Sequence, residues 1–373
     1  MSAPEDGSPQ EPGLSWMRRS MKTSVTPISV AFLDRDGTLV YEPPERGGRA
    51  SVETPEVLPG VIEGLERLME EGYRLVMIAG GEGEDTDPHR QRTGESTQGE
   101  LVRRLREKGI EFYQILACSK APQGRSRRRE DCIAMVQRFV GQEKIDLDRS
   151  ILVGDRETDM GLARHIGVWG IHGATNGRFP RMASVWRVTR ETDVFVQCNL
   201  DGKGVSQIET GLKFFSHMLE QLSRHALIDL RVKATGDLDV DEHHLIEDVG
   251  LTLGQALSRA LGMRKGIMRY GFLLPMDDAL AEVAVDLGGR SYLVFDCDFE
   301  RERVGDVPTE MVEHFFRSFS DTLKANIHIN VRYSRNEHHK MEAIFKALGR
   351  ALRMACEADS RSEGVLPSTK GIL

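Results

Sequence analysis

The sequence lacks the features that mark membrane, secreted and nucleic-acid-binding proteins. No apolar run approaches the roughly 20 residues that a helix needs to cross a bilayer, and the N-terminus has no apolar core of a signal peptide. The five cysteines form no C-x-x-C pair and give no sign of a disulfide framework. A net charge of −8 argues against general nucleic-acid binding. We therefore expect a cytoplasmic protein with neither a membrane nor a nucleic-acid partner.

The chain has 373 residues, enough for two or three domains. Residues 1–24 are rich in Pro, Gly, Ser and charge, which predicts a disordered tail. Residues 25–182, the front domain, alternate short apolar strands with helices and predict an α/β fold with a parallel sheet covered on both faces. Inside this domain, residues 80–100 hold no large apolar side chain and predict a long solvated loop. A glycine-rich stretch at 170–178 is expected to close the domain.

Residues 183–373, the back domain, follow a different pattern. Strands of alternating polarity and amphipathic helices occur up to residue 261, and the same strand–helix order recurs in 266–357. We therefore predict an α+β domain made of a duplicated strand/helix unit, with helices on one face of mixed sheets.

The duplication repeats three histidines and one carboxylate. A His-His-x-x-Glu motif occurs twice, and a single histidine precedes each copy at a similar distance. The two sets are His217, His243, His244 and Glu247, and His314, His338, His339 and Glu342. Imidazole and carboxylate are transition-metal ligands. Two matched sets predict two ions of one kind in equivalent sites, whereas a single His-His pair would as readily be a solvated polar pair.

Helix geometry separates the two histidines of each motif. Residues i and i+4 project from one helix face, so His243 and Glu247 can hold one ion together. His244 is offset by about 100° and must contact a second ion or another chain.

A second group of acids follows the first predicted strand of the front domain. Asp34-x-Asp36-Gly37-Thr38 comes directly after the buried-strand candidate 28–33, and Gly154-Asp155-x-x-Thr158-Asp159 follows the strand candidate 150–153. These motifs resemble the haloacid dehalogenase superfamily of phosphatases. The resemblance implies Asp34 as the nucleophile on phosphorus, Asp36 as the acid that protonates the leaving alkoxide, and Mg²⁺ held by Asp34, Asp36 and Asp155.

Three departures from that superfamily bear on activity. The second strand ends in Ala79, where the family has a phosphate-binding Ser or Thr, and no lysine lies between Lys120 and Lys144. Of the zinc loop of the histidinol-phosphatase branch only Cys118 remains, which predicts that this zinc site is absent. An arginine run at 125–129 could supply the missing charge, although its geometry differs from that of lysine. We expect weak or lost phosphatase activity; the alternatives are a fully bifunctional enzyme and a non-catalytic binding or structural module.

The back domain resembles imidazoleglycerol-phosphate dehydratases along its whole length, on the two His-His-x-x-Glu motifs, Glu313-His314-Phe315 and the terminal residues 366–373. The resemblance implies dehydration of D-erythro-imidazoleglycerol phosphate to imidazole acetol phosphate, two Mn²⁺ ions and a large symmetric homo-oligomer. One ion would take His243, Glu247, His314 and His339, and the other His217, His244, His338 and Glu342. Ligand type alone leaves Zn²⁺ and Fe²⁺ open.

Further residues match the dehydratases' substrate contacts. Glu191 is the candidate for substrate binding and proton shuttling, and the phosphate contacts would be Arg269, Arg290, Ser368, Thr369 and Lys370. Ser216 replaces the usual Asp before His217, and Asp278 replaces the usual Glu, which predicts reduced but not absent dehydratase activity. A phosphatase-like front joined to this back resembles the bifunctional histidine-biosynthesis proteins of bacteria.

Overall fold

The computed structural model describes residues 27–41, 55–80, 97–118, 124–173, 178–271, 274–359, 362 and 364–368. The predicted disordered tail and most of the predicted loop at 80–100 lie outside these residues, as do Thr369 and Lys370. Within the described part, no helix is long and apolar enough to cross a membrane.

The front domain is an α/β fold around one parallel five-stranded sheet, as predicted. Its strands lie in the order β3-β2-β1-β4-β5. They are β1 (Val30–Asp34), β2 (Arg74–Gly80), β3 (Gln114–Cys118), β4 (Ile151–Gly154) and β5 (Trp169–His172). The helices are α1 (Val61–Glu70), α2 (Thr97–Glu107), α3 (Gly124–Gln142) and α4 (Glu157–Ile166).

Strand β1 shows why both faces of this sheet are covered. Successive side chains of a strand point to opposite faces, and every residue from Val30 to Leu33 is fully buried. Ala31 and Leu33 belong to one apolar cluster, and Val30 and Phe32 to another on the opposite face. Parallel strands place their carboxyl ends at one edge, so β1 and β4 deliver Asp34 and Asp155 to the same place.

Two elements of the front domain were not predicted from the sequence. Residues 157–166 form α4, whose capping box joins Arg156 and Asp159, and Trp169–His172 form the edge strand β5. The predicted glycine-rich closing stretch therefore begins inside a strand, and residues 174–177 lie outside the description.

The back domain contains a four-stranded sheet, ordered β6-β7-β9-β8, and a five-stranded sheet, ordered β10-β12-β16-β13 with β11 paired to β12. The first sheet comprises β6 (Met182–Val188), β7 (Thr192–Asn199), β8 (Ser206–Glu209) and β9 (Asp229–Gly236). The second comprises β10 (Tyr270–Gly271), β11 (Leu274–Met276), β12 (Ala279–Asp286), β13 (Tyr292–Asp296) and β16 (Asn326–Tyr333). A short hairpin joins β14 (Arg303–Val304) to β15 (Val307–Pro308).

The predicted duplication is present. Each sheet has antiparallel pairs and one parallel pair, β8 with β9 and β13 with β16. The helices are α5 (Lys213–Ala226), α6 (His243–Leu261), α7 (Glu310–Leu323) and α8 (Glu337–Cys356). Helix α5 packs against α8 and α6 against α7, so helices of one half pack on those of the other in one continuous core.

The front domain packs on the outer face of the first sheet, along a polar contact that we call the domain seam (Glu71, Tyr73, Ser184 and Gln197). Ser184 donates from its N–H and Oγ to Glu71 Oε2 at 2.8 and 2.9 Å. Tyr73 OH donates to Ser184 Oγ at 3.2 Å and accepts from Gln197 Nε2 at 3.1 Å. Strand β7 is consequently buried on both faces from Val194 onward, whereas β12 alternates between buried and half-buried residues. The predicted domain boundary at 182/183 stays a prediction; β6 begins at Met182.

Candidate functional site

One candidate metal site combines a histidine of α5 with both ends of the second motif on α8. A ligand atom from each of His217, His338 and Glu342 lies within 4.8 Å of the others. His338 Nε2 lies 3.4 Å from Glu342 Oε2, because the two residues are one helical turn apart. Lys346 Nζ also contacts Glu342, through Oε1 at 2.9 Å, and this contact orients the carboxylate.

The first motif places the corresponding residues on α6 and α7 in a looser group, whose three ligand atoms do not all lie within 4.8 Å of one another. His243 Nε2 lies 3.7 Å from Glu247 Oε2, and the rings of His243 and His314 are 4.9 Å apart, centroid to centroid. Each group therefore unites three of the four ligands that were predicted for one ion. The donors are imidazole nitrogens and one carboxylate, a set that suits Mn²⁺, Fe²⁺ or Zn²⁺.

The second histidine of each motif contacts a carboxylate instead of joining its predicted set. His244 Nδ1 lies 3.2 Å from Asp237 Oδ2, and His339 Nδ1 lies 2.5 Å from Asp278 Oδ1. Hydrogen bonding by Asp237 raises the pKa of His244, and that by Asp278 raises the pKa of His339. The bond from His339 lowers the pKa of Asp278 to about 2. Carboxylates placed in this way orient imidazoles for metal binding through the other ring nitrogen.

These two carboxylates include a residue that the sequence reasoning missed. Asp237 follows strand β9 and was not singled out, and its only signal was its place just before the first motif. Asp278 was expected to be a shortened acid, yet it reaches His339 and also accepts the N–H groups of Arg335 and Asn336. Ser216, the other departure, is hydrogen-bonded to Thr210, with 2.9 Å between the hydroxyl oxygens.

The predicted substrate contacts lie on turns and at the C-terminal segment. Glu191 is exposed in the turn between β6 and β7, and its carbonyl accepts the N–H of Asp237 at 3.1 Å. Arg269 holds Asp286 through Nε and Nη2 and donates from Nη1 to the Pro367 carbonyl at 2.8 Å. It thereby ties the segment that contains Ser368 to β12. Arg290 is exposed in the turn before β13, and its carbonyl accepts from Asn326.

The front domain brings together three carboxylates at the carboxyl edge of its sheet. Ligand atoms of Asp34, Asp155 and Asp159 all lie within 4.8 Å of one another. Burial raises the pKa of Asp34 well above its usual 3.8, and the charges of Asp159, Asp36 and Asp155 raise it further. Such mutual repulsion is relieved when a cation binds. Gly37, at φ +81°, is required here because a Cβ would lie 2.3 Å from Asp155 Oδ2.

The membership of this acidic group differs from the predicted ligand set. Asp159, quoted in the motif but not predicted as a ligand, joins the group through α4. Asp36 is not among the three, and Arg35 binds both of its carboxylate oxygens at 2.9 Å. The neighbouring strand β2 ends in Ala79 and Gly80, which provide no hydroxyl group to bind phosphate.

The cysteine spacing had shown no sign of a disulfide framework, and the structure has one disulfide. Cys118, at the end of β3, is bonded to Cys132 in α3. The remaining three cysteines are free. Both bonded residues lie in the region where the zinc loop of the phosphatase branch was sought.

Comparison with known proteins agrees with both halves of this description. A family model for imidazoleglycerol-phosphate dehydratase matches residues 210–352. The histidine biosynthesis bifunctional protein HisB of Bacteroides fragilis is 40% identical over 372 residues, covering 92% of this chain and 99% of that protein. The HisB protein of Stenotrophomonas maltophilia is 42% identical over 364 residues, covering 94% and 100%. This chain belongs to the bifunctional HisB family.

The chain also resembles the crystal structure of imidazoleglycerol-phosphate dehydratase from Staphylococcus aureus, with 37% sequence identity and a TM-score of 0.44. The match covers 48% of this chain and 99% of the Staphylococcus aureus chain. All eight predicted metal ligands of this HisB-family chain lie inside the segment that matches the dehydratase family. The acidic group of the front domain lies outside that segment.

Proposed function

We propose that this chain dehydrates imidazoleglycerol phosphate to imidazole acetol phosphate in histidine biosynthesis, as a hydro-lyase whose active centre lies in the back domain. The observation that carries the proposal is the pair of matched groups, His217–His338–Glu342 and His243–Glu247–His314. Membership of the HisB family and the dehydratase match over 210–352 support it.

Each group fits one ion, and we propose Mn²⁺ in both. Three donors of each set come from one chain, while the fourth histidines, His244 and His339, are held outside these groups by Asp237 and Asp278. We infer that they complete the sites of neighbouring copies, which makes the enzyme a homo-oligomer. Bound ions would act as Lewis acids on the substrate imidazole and hold it in place.

The remaining roles fall to side chains. The carboxylate of Glu191 is exposed on its turn and would carry protons between the substrate carbon chain and solvent. Arg290, whose side chain has no ion-pair partner within the described residues, and Ser368 would bind the substrate phosphate. Thr369 and Lys370 would join them. Arg269 would orient this segment through its bond to the Pro367 carbonyl.

Metal analysis combined with a dehydratase assay tests this function. We expect about two ions per chain in the Mn²⁺-supplemented protein, one fewer in Glu247→Gln and in Glu342→Gln, and dehydratase activity lost in both. Glu220→Gln is the matched control, because Glu220 lies 3.6 Å from His217 but outside the group of ligands. A protein that stays metal-free after supplementation, or both variants fully active, would overturn the proposal.

For the front domain we propose a Mg²⁺ site at Asp34, Asp155 and Asp159, with histidinol-phosphate hydrolysis weak or absent. The buried Asp34 Oδ2 has no hydrogen-bond partner within the described residues, which supports a cation there. Ala79 leaves the phosphoryl oxygens without a hydroxyl donor.

Phosphate release from histidinol phosphate separates the alternatives. Turnover at an ordinary enzymatic rate, abolished by Asp34→Asn, would contradict weak activity and favour a fully bifunctional enzyme. If activity is low, Ala79→Thr with a lysine restored near residue 130 should raise it in a decayed active site. No gain would favour a non-catalytic binding or structural module.

A further inference from the structure

A buried hydrogen-bond network lies behind the turn that carries Glu191. Its centre is Asp248, which directly follows Glu247 on α6 and is only 7% exposed. Asp248 Oδ1 accepts from Arg187 Nε at 2.6 Å, and Oδ2 accepts from Thr192 Oγ1 at 2.5 Å. Buried polar groups need hydrogen-bond partners, and through these two bonds Asp248 fixes both strands of the β6–β7 hairpin to helix α6.

The network continues to the backbone of Glu191. Thr192 Oγ1 lies 3.1 Å from Thr189 Oγ1, and Thr189 Oγ1 accepts the N–H of Glu191 at 3.2 Å. On the other side, the carbonyl of Glu191 accepts the N–H of Asp237, whose carboxylate contacts His244. The backbone of Glu191 is thus anchored in two directions to the elements that carry the metal ligands.

The internal duplication provides a comparison within the same chain. Asp278 stands just before β12, as Glu191 stands just before β7, and it is held by its own carboxylate through bonds to His339 and to backbone N–H groups. The carboxylate of Glu191 has no hydrogen bond to any residue in the described part. Correspondingly, Asp248 follows Glu247, whereas Ala343 follows Glu342. The buried carboxylate therefore occurs in the half where the turn acid is left free to react.

We propose that Asp248, Thr192 and Arg187 are positioning residues that hold the free carboxylate of Glu191 in place for proton transfer. This inference rests on the proposed dehydratase function. It assigns to the three residues no contact with substrate or metal. Their effect is to fix the turn, because a small displacement of a reacting group is enough to slow catalysis strongly.

The test uses the full-length, Mn²⁺-loaded protein. Thr192→Val removes the hydroxyl while keeping the shape, and we expect kcat to fall by about 10- to 100-fold, with KM and metal content nearly unchanged. Thr192→Ser restores the hydroxyl and should recover most of kcat. Thr252→Val is the matched control: Thr252 is equally buried on α6, but its Oγ1 donates to the backbone carbonyl of Asp248.

A second arm, Asp248→Asn, keeps the volume and removes the charge, and it carries the test if Thr192→Val does not fold. Full kcat in both Thr192→Val and Asp248→Asn would overturn the proposal. Equal losses in Thr192→Val, Thr192→Ser and Thr252→Val would also overturn it, since they would reflect general packing. An inactive wild-type protein would instead refute the dehydratase function itself.

Discussion

Nδ1 of His339 lies 2.5 Å from Oδ1 of Asp278, although the two residues belong to different elements of the second half. The contact fixes which ring nitrogen remains available for an ion. Asp278→Asn should lower the Mn²⁺ affinity of the assembled protein by about 10- to 100-fold, as measured by titration calorimetry. Asp277→Asn, on the adjacent residue of the same turn, is the control. Equal losses of Mn²⁺ affinity in the two variants would show that the affinity depends on the structure of the turn and not on the bond between Asp278 and His339.

Gly37 packs against the acidic group of the front domain so closely that no side chain fits between them. Its φ is +81°, and a Cβ would meet Asp155 Oδ2 at 2.3 Å. Gly37→Ala should therefore destabilise the front domain by about 2–4 kcal/mol, from backbone strain and displacement of Asp155 together. It should also weaken Mg²⁺ binding.

Gly72→Ala is the control for strain alone, because Gly72 has φ +86° and nothing within 4 Å of its Cβ position. We expect a loss of about 1–2 kcal/mol there and unchanged Mg²⁺ binding. Chemical denaturation followed with and without Mg²⁺ measures both effects. If the two variants lose equal stability and bind Mg²⁺ equally well, the contact with Asp155 has no measurable effect.

Glu71 makes the domain seam sensitive to pH. Burial raises its pKa from 4.5 to about 7, although the Ser184 bonds act in the opposite direction. A carboxyl whose pKa is higher in the folded state favours folding when protonated, so this contribution is complete below about pH 4.5 and is lost as the pH rises to about 7.

The loss amounts to about 3 kcal/mol. Glu71→Gln cannot titrate and should flatten the fall in unfolding free energy between pH 4 and pH 8, by roughly that amount. Denaturant unfolding of both proteins over this range is the measurement. Parallel curves for wild type and variant would mean that Glu71 keeps an ordinary pKa.

The bond between Cys118 and Cys132 closes a loop across β3 and α3, with a sequence separation of 14. A loop of this size stabilises the oxidised form by about 3 kcal/mol, so reduction should lower the unfolding temperature of the front domain. Cys132→Ser should reproduce the reduced form and no longer respond to reductant. Alkylation of the unfolded protein before reduction should label three thiols, and labelling of all five would show that the pair is reduced.

The elements that the sequence predicts best are those with long periodic patterns of apolar residues. Helix α6 ends at Leu261, where the first strand/helix unit was predicted to end, and β1 delivers Asp34 where a buried strand was expected. Helix α4 and strand β5 were missed because α4 is short and begins in an acidic motif that also reads as a turn. The sequence could not predict the contacts of Asp237, Asp248 and Asp278, because each contact joins residues from separate elements.

The histidines were found because their spacing repeats along single helices. Their division between two ions came from the resemblance to the dehydratases, and its physical basis is visible only in the fold, since His217 reaches His338 through the packing of α5 on α8. The cysteine pair gave no signal because its partners are separated by residues 119–131 and form no compact motif.

The domain seam is built from hydroxyl, carboxyl and amide groups that water can satisfy equally well. Cutting the polypeptide between β5 and β6 would expose these polar groups to water together with the buried rings of Tyr73 and Phe195. A biotechnologist who expresses one piece alone would therefore begin by replacing the newly exposed ring on that piece with a polar side chain.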